Sequence, residues 1–566
     1  MGGAPTAVER IKAESRGLRG SLADSLTDGH TGGLREDDQQ LIKLHGIYQQ
    51  DDRDVRDERR RQKLEAAHSF MIRVRLPGGV ATPAQWLALD GLARSHGNGT
   101  LKLTTRQTWE LNGVLKEGLK PSLKAMQQVL LDSIAACGDV NRNVICTSLP
   151  EASAAHAEVY RWSVALSEHL LPKTRAYHEI FLDEERVDGP VEEPLYGPVY
   201  LPRKFKTAIA IAPLNDVDVL AHDLGFIAIV DPRTGALEGF NLTVGGGMGA
   251  SHGELATFPR LADVVGFLTP GQLLAVAEAV LTIQRDFGDR SNRKHARLKY
   301  TIADRGIDWF TSELTQRLGD ALAPVRPYSF HRQGDRFGWT AGHDGRWHLG
   351  LRIEGGRVRG TPLDGLRAIA QIHNGELRIT ANQNVIVSGI SADQRPAIEA
   401  LLVLYGLDVA LAGAPLRRDA LACVALPYCP LAMAEAERFL PEFSARVQAL
   451  LDRHGLSEQP VSLRITGCPN GCARPYLAEI GLIGKAPGLY NLLLGGDRTG
   501  TRLNALYREA QSADAIIALL DPLFARFAGE RLHLDEGFGD FVRRLGLVSG
   551  HSPHPTPVSV KEGLLP

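Results

Sequence analysis

The chain repeats itself, and the repeat restricts its fold more than any other feature. GTLKLTTRQTWELNGV at 99–114 matches GELRITANQNVIVSGI at 375–390, 276 residues further on, with Gly, Leu, Thr, Gln and Gly coinciding. Upstream, VRLPGG at 74–79 matches LRIEGG at 351–356. Downstream, VICTSLP at 144–150 matches LACVALP at 421–427, which aligns Cys146 with Cys423. FNLTVGGG at 240–247 pairs with YNLLLGGD at 490–497, at the shorter offset of 250. Four matches in one order indicate a duplication of roughly 250–280 residues. Two such halves are expected to pack about a pseudo-twofold axis with a ligand between them.

At 566 residues the chain exceeds a single core and divides into about three to five domains. Hydrophobic residues make up 43% and charged residues 23%, the balance of a water-soluble globular protein. A net charge of −2 gives no global attraction to nucleic acid or an anionic membrane, so any basic site is local. No apolar run reaches the ~18 residues of a membrane span. The polar N-terminus MGGAPTAVERIKAESRG lacks the apolar stretch of a secretory signal. A cytoplasmic location is expected, where six cysteines serve as thiols or metal ligands rather than disulfides.

Residues 1–68 are polar. QQDDRDVRDERRRQKLEAAH carries mixed charge without an apolar face, which predicts an exposed helix or a partly ordered arm, or else a docking segment. From Phe70, FMIRVRLPGG alternates as a strand does. Met71, Arg73 and Arg75 fall on one face, and Ile72, Val74 and Leu76 on the other. TPAQWLALDGLARSHG follows as a helix capped by Thr82 before Pro83, and TLKLTTRQTWEL as a second strand.

Four cysteines stand in the second half, as C-x5-C (Cys423, Cys429), a gap of 38 residues, and C-x3-C (Cys468, Cys472). The spacing leaves three readings open: an iron–sulfur cluster on four thiolates, a structural zinc, for which x5 is long, or buried inert thiols. Pro and Gly in GCPNGC favour a loop wrapped around a ligand. Cys137 and Cys146 have no partners at ligand spacing and read as buried small residues.

The first half is base-rich. Arg73 and Arg75 share a strand face, and Arg142 sits in DVNRNVIC. LPRKFKTAIAIA places Lys204 and Lys206 on one face of a strand, and SNRKHARLKYTI adds Arg293, Lys294, Arg297 and Lys299. A solvated face explains any one of these stretches. All of them together, beside apolar strands, require an anion: a polycarboxylate cofactor or a small oxyanion. The Arg fork suits carboxylates, and Lys suits a compact anion and can pass a proton. VGGGMG at 244–249 reads as a tight glycine turn, and neither the dinucleotide nor the P-loop glycine pattern is present.

Together, TGCPNGCARP, ACVALPYCPLAMAEAER, LPRKFKT, NRKHARLKYT, RITANQN and EIGLIGKAPGLYNLLLGG resemble the siroheme-containing sulfite and nitrite reductases. The resemblance runs from about residue 10 to about 548 and leaves GHSPHPTPVSVKEGLLP as a disordered tail. LRGSLADSLTDGHTGG and HGIYQQDDRDVRDERR are similar to the assimilatory sulfite-reducing branch, which an NADPH-linked flavoprotein supplies with electrons.

The resemblance implies an α/β (α+β) fold of three domains, duplicated about a pseudo-twofold axis around a siroheme–[4Fe–4S] centre. Residues 1–69 would be the polar arm that helps dock the flavoprotein. Segments 70–136 and 336–410 would be the halves of a ferredoxin-like domain. Residues 137–335 would bind siroheme and substrate, and 411–566 would ligate the cluster and end in the tail.

It further implies that Cys423, Cys429, Cys468 and Cys472 ligate the [4Fe–4S] cluster, with Cys472 also the axial thiolate of the siroheme iron. Lys102, Thr104, Thr105, Arg106, Arg297, Gln383 and Asn470 would contact the cofactors, and Arg75 a siroheme carboxylate or the 51–62 charge run. Arg73, Arg142, Lys204 and Lys206 would bind sulfite and supply protons as six electrons reduce it to sulfide, the sulfur source for cysteine. A siroheme nitrite reductase, or a sulfite reductase fed by ferredoxin, would keep the same ligands. The chain shows no NADPH or flavin motif, so the flavoprotein is a separate polypeptide. No nucleic-acid or membrane partner is expected.

Overall fold

The computed structural model describes residues 3–185, 192–408 and 413–549; the tail expected to be disordered, 550–566, lies outside the described residues. Among the described residues, four five-stranded sheets carry the duplication. The first has the order β1 (Ile47–Asp51), β2 (His68–Arg73), β5 (Trp109–Val114), β4 (Leu101–Leu103) and β13 (Arg357–Val358). The second repeats it as β11 (Gly338–Ala341), β12 (Trp347–Leu351), β15 (Val385–Ile390), β14 (Glu376–Ile379) and β3 (Val80–Ala81). Each half-sheet is closed by a short strand from the other half: β3 pairs with β14, and β13 with β4. The exchange covers two edges whose main-chain groups otherwise need solvent or another chain.

The repeated Gly-Gly accounts for this crossing. Gly79 and Gly356 have φ of +74° and +71°. A Cβ would stand 2.2 Å from the carbonyl oxygen of Ile379 at the first and 2.5 Å from that of Leu103 at the second. Only glycine combines that conformation with that approach. The helix after the first crossing, Pro83–Ser95, starts as expected, with a reciprocal Thr82–Gln85 capping box. Its Trp86 packs edge-on to Trp109 of β5 at 5.6 Å, worth about 0.5–1.5 kcal/mol beyond the area buried.

The third sheet runs β6 (Ile145–Cys146), β7 (Thr207–Ile211), β8 (Leu224–Val230), β9 (Leu237–Val244) and β10 (Asp263–Leu268). The fourth runs β16 (Leu421–Ala422), β17 (Leu463–Thr466), β18 (Ile480–Ala486), β19 (Leu489–Leu494) and β20 (Ala505–Gln511). In both, the first three strands are parallel and the remaining pairings antiparallel.

Register fixes which residues correspond. Ile145 faces Ala208 in one sheet, and Leu421 faces Arg464 in the other. The N–H of Thr147 donates to Ile209 at 3.1 Å, and the N–H of Cys423 donates to Ile465 at 3.2 Å. Thr147, not Cys146, is therefore the counterpart of Cys423, which corrects the match of letters by one residue. The same register relates Asp216 to Cys472 and Asp218 to Arg474, and the last two share a left-handed backbone with φ of 50° and 54°.

The N-terminal segment departs from the expected arm. Ile11, Leu18, Leu22, Leu34, Leu41, Ile42, Leu44 and Ile47 are buried in the first core, and β1 extends the first sheet. Lys12 is buried against Glu9, Asp139 and the Leu201 carbonyl. Only Ile11, Leu22 and Leu41 of these lie in the helices Ala7–Glu14, Leu22–Thr27 and Glu36–Leu41; the others fall in connecting segments and at the start of β1, so no helical period emerges. Helix Arg56–Arg61 keeps the expected character, with no buried residue. Lys204 and Lys206 precede β7 and lie on the loop entering it, not on the strand. Among the described residues no helix is long and apolar enough to cross a membrane.

Candidate cofactor and anion site

Strands β16 and β17 are parallel neighbours, so the loops after them leave the same edge, the carboxyl end where α/β sheets place ligands. The first loop carries Cys423 and Cys429, the second Cys468 and Cys472. Gly467 joins them: its N–H donates to Cys423 Sγ at 3.3 Å, and its carbonyl accepts from the N–H groups of Met433 and Ala434. Asn470 Nδ2 donates to Cys468 Sγ at 3.4 Å. Arg53, from the N-terminal segment, ties down the first loop. Its guanidinium donates to the carbonyls of Cys429 at 3.2 Å and Ala432 at 2.5 Å.

All six cysteines are free thiols. Burial raises the pKa of Cys423, Cys429 and Cys468, that of Cys429 to about 12, and Cys472 adds to the shift in all three. The four thiols are thus electrostatic neighbours. Yet among the described residues no three His, Cys, Asp or Glu side chains converge on a single ion. Four thiolates on two adjacent loops are a ligand set that an iron–sulfur cluster takes. Cys137 and Cys146 are buried, as expected.

A cleft opens beside Cys472, the exposed thiol of the set. The first half contributes Lys204, Lys206 and Arg297 to its lining, the ferredoxin-like domain Thr105 and Arg106, and the second half Asn470, Cys472 and Arg474. Thr105 Oγ1 donates to the Cys472 carbonyl at 3.0 Å. The glycine turn at 244–249 forms part of the wall through Met248 and Gly249. A Cβ on Gly247 would come within 2.8 Å of the Arg297 guanidinium, so the turn reaches the cleft because it is glycine.

The cleft is positive and undercompensated. Burial, then the neighbouring Arg203, lowers Lys204 to about 7, while Cys472 pulls the other way. Burial, then Lys204, takes Lys206 well below its ordinary value. Burial and the charges of Arg474 and Arg142 lower Arg106 to about 9. Among the described residues neither lysine has a carboxylate partner within ion-pair distance. Asp223 organises the rim instead: it accepts from the Lys206 N–H at 3.0 Å and from Arg297 Nη2 at 2.6 Å.

Not every expected residue reaches this cleft. Arg142 donates to the Gly138 carbonyl at 2.8 Å, and Arg73 holds Glu110 and, at 3.1 Å, Cys137 Sγ. Both lie behind the lining, and their charges act on it through Arg106. Lys102 is buried in an ion pair with Glu437 at 2.7 Å and turned away from the cleft. Thr104 accepts from the Arg106 N–H at 3.1 Å and shapes the turn. Gln383 is occupied by the main chain of Ala422. Arg75 is paired with Asp132, not with a cofactor carboxylate or the 51–62 run. Arg293 is matched by Asp139 and Lys294 by Glu254, so part of the base-rich sequence is neutralised internally. Sequence reasoning missed Arg203 and Arg474, although LPRKFKT and GCARP place them next to chosen residues. It missed Asp223 altogether, since a lone Asp carries no motif.

A duplicated α/β protein with four thiols on two adjacent loops, one of them lining a cationic cleft, defines a class of iron–sulfur oxidoreductase that acts on small oxyanions. Family comparison agrees. Residues 162–322 match the nitrite and sulphite reductase 4Fe-4S domain, and 62–129 with 341–405 match the nitrite/sulfite reductase ferredoxin-like half domain. The chain is 60% identical to a sulfite reductase [NADPH] hemoprotein beta-component of Myxococcus xanthus, over 97% of this chain and 98% of that one. It is 59% identical to a protein of the same description from Acidithiobacillus ferrooxidans, over 96% of both chains. The solved NirA protein of Mycobacterium tuberculosis superposes with a TM-score of 0.76 at 25% identity, covering 96% of this chain and 97% of that one. The chain belongs to the nitrite and sulfite reductase family.

Proposed function

We propose that the protein is the hemoprotein component of an assimilatory sulfite reductase, taking sulfite to sulfide with six electrons and six protons. The observation that carries this reading is the meeting of Cys472 with Lys204 and Lys206 on one cleft. Siroheme and a [4Fe–4S] cluster, the cofactors of the family, supply the electron chemistry when bound. The residues fit them. Cys423, Cys429, Cys468 and Cys472 would hold the cluster, Cys472 also the siroheme iron, and Arg106, Arg297, Thr105 and Asn470 offer donors along the cleft for a polycarboxylate ring.

Lys204 and Lys206 hold the sulfite anion. Burial and mutual repulsion depress both amines in the empty cleft, so an arriving anion favours their charged form, and the two Nζ groups are already positioned for it. Each Nζ–H can be delivered to a sulfite oxygen that leaves as water. Arg142 and Arg73 reinforce the field from behind, and Asp223 keeps the Lys206 backbone and Arg297 in register.

Electrons come from an NADPH-linked flavoprotein, in the cytoplasm. Helix Arg56–Arg61 is exposed and basic in its last turn, and Val55 and Leu431 beside the Cys429 loop are exposed apolar residues. That patch would receive the donor close to the cluster.

The test is a visible spectrum of the purified protein, with and without dithionite and sulfite, together with iron and acid-labile sulfide. Isobacteriochlorin bands that move when sulfite meets the reduced protein are expected. Protein from a siroheme-competent host that shows no tetrapyrrole bands would overturn the reading.

A further inference from the structure

Gln383 and Gln107 are counterparts in the duplicated ferredoxin-like domain, and both do the same unusual thing. The Gln383 carboxamide donates through Nε2 to the Ala422 carbonyl at 2.9 Å and accepts from the Ala422 N–H at 3.3 Å. The Gln107 carboxamide donates to the Cys146 carbonyl at 2.8 Å and accepts from the Cys146 N–H at 2.9 Å. Each side chain acts as one residue of an extra strand, closing the open edge of β16 or β6. Both glutamines are buried and left-handed, with φ of 68° and 50°, a conformation uncommon outside glycine.

The two clamps differ in the residue that each strand end presents. After Cys146 comes Thr147, whose hydroxyl donates to Asp216 at 2.9 Å. After Ala422 comes Cys423. The Gln383 carboxamide thus commits one N–H and its oxygen to the main chain of Ala422. We propose that Gln383 is a positioning residue for Cys423, fixing the strand end that presents this thiolate to the cluster. The inference rests on the reading of Cys423 as a cluster ligand. Residues just outside a metal's ligands orient them, and their loss typically weakens metal retention.

Gln107 provides the control, since Gln107→Met removes the equivalent pair of bonds, and a further one to Ser148 Oγ at 3.0 Å, from a strand that delivers no ligand. Iron and acid-labile sulfide in the wild-type holoprotein are measured first. The rate of iron loss to a chelator, and the electron paramagnetic resonance spectrum of the reduced cluster, are then compared among wild type, Gln383→Met and Gln107→Met. Gln383→Met is expected to lose iron about ten-fold faster than wild type and to show an altered spectrum. Gln107→Met is expected to match wild type in both. Should Gln383→Met not accumulate, Gln383→Glu, which keeps the acceptor for the Ala422 N–H, is expected to lose iron at an intermediate rate. Equal rates in the two Met variants, or a wild-type rate in Gln383→Glu, would overturn the positioning role alone. Wild-type protein without iron and sulfide would overturn the cluster assignment and the positioning role with it.

Discussion

Asp218 and Arg474 occupy corresponding places in the two halves and bind each other, with Arg474 Nε donating to Asp218 Oδ2 at 2.5 Å. A residue that touches its own counterpart lies on the pseudo-twofold axis. Arg464 closes on the same carboxylate at 2.6 Å. Arg474 also reaches the carbonyls of Thr105 and Ala381, which are themselves repeat counterparts. The axis of the duplication is thus a buried, charged joint two residues from Cys472, and it ties the cleft to both ferredoxin-like halves.

Breaking that joint should be costly. Asp218→Asn leaves two buried guanidinium groups without their shared anion, and a loss of about 3–5 kcal/mol is expected in denaturant unfolding. Glu530→Gln removes an exposed i,i+4 partner of Arg526 and should leave the midpoint unchanged. An unaltered midpoint in Asp218→Asn would mean that Arg464 and Arg474 find other partners.

The thiols should divide cleanly. Serine at any one of Cys423, Cys429, Cys468 or Cys472 should lower iron and acid-labile sulfide and abolish sulfite turnover, because a hydroxyl does not replace a thiolate ligand. Cys146→Ser is expected to keep both, at a stability cost of about 1–3 kcal/mol for a buried hydroxyl. Full iron content in a Cys472→Ser protein would remove that residue from the ligand set.

Acid should weaken the fold partly through His45. This ring is buried against Tyr177 and Phe181, with Nε2 donating to the Leu18 carbonyl at 3.0 Å. Burial lowers its pKa from 6.5 to about 4, against the opposing effect of the Leu18 bond. Between those values the unfolded chain takes up a proton that the folded one refuses. Stability therefore falls as pH drops through the window, by up to about 3 kcal/mol. His45→Gln keeps a donor for Leu18 and should flatten this acid limb when unfolding is compared at about pH 7 and about pH 4.5. An equally steep limb in the variant would assign the loss to other groups.

Donor docking is best tested on surface charge. Deleting the N-terminal segment would remove core residues such as Leu22 and Ile42 and the Arg53 tie to the Cys429 loop. Reversing Arg60 and Arg61 touches only an exposed helix. NADPH-driven turnover with the flavoprotein should fall and lose part of its salt dependence, while turnover with reduced methyl viologen stays at the wild-type rate. Parallel loss of both activities would argue against a docking role.

By itself the sequence determined the duplication, the four thiols, the base-rich first half and the strand and helix around Thr82. All of these are written in local patterns: repeated letters, ligand spacing and periodicity. Register is not written in the letters, which align Cys146 with Cys423, whereas the hydrogen-bond ladders of the two sheets make Thr147 its counterpart. Nor could the letters assign partners to charges, because Arg75 meets Asp132, Lys102 meets Glu437 and Arg293 meets Asp139 only after distant segments fold together. Tertiary structure alone decided which cations remain free for an anion, that Gln383 faces a strand edge, and that the N-terminal segment is part of the core. The physical reason is that burial and ion pairing depend on what arrives from elsewhere in the chain, whereas ligand spacing and turn chemistry are complete within a few residues.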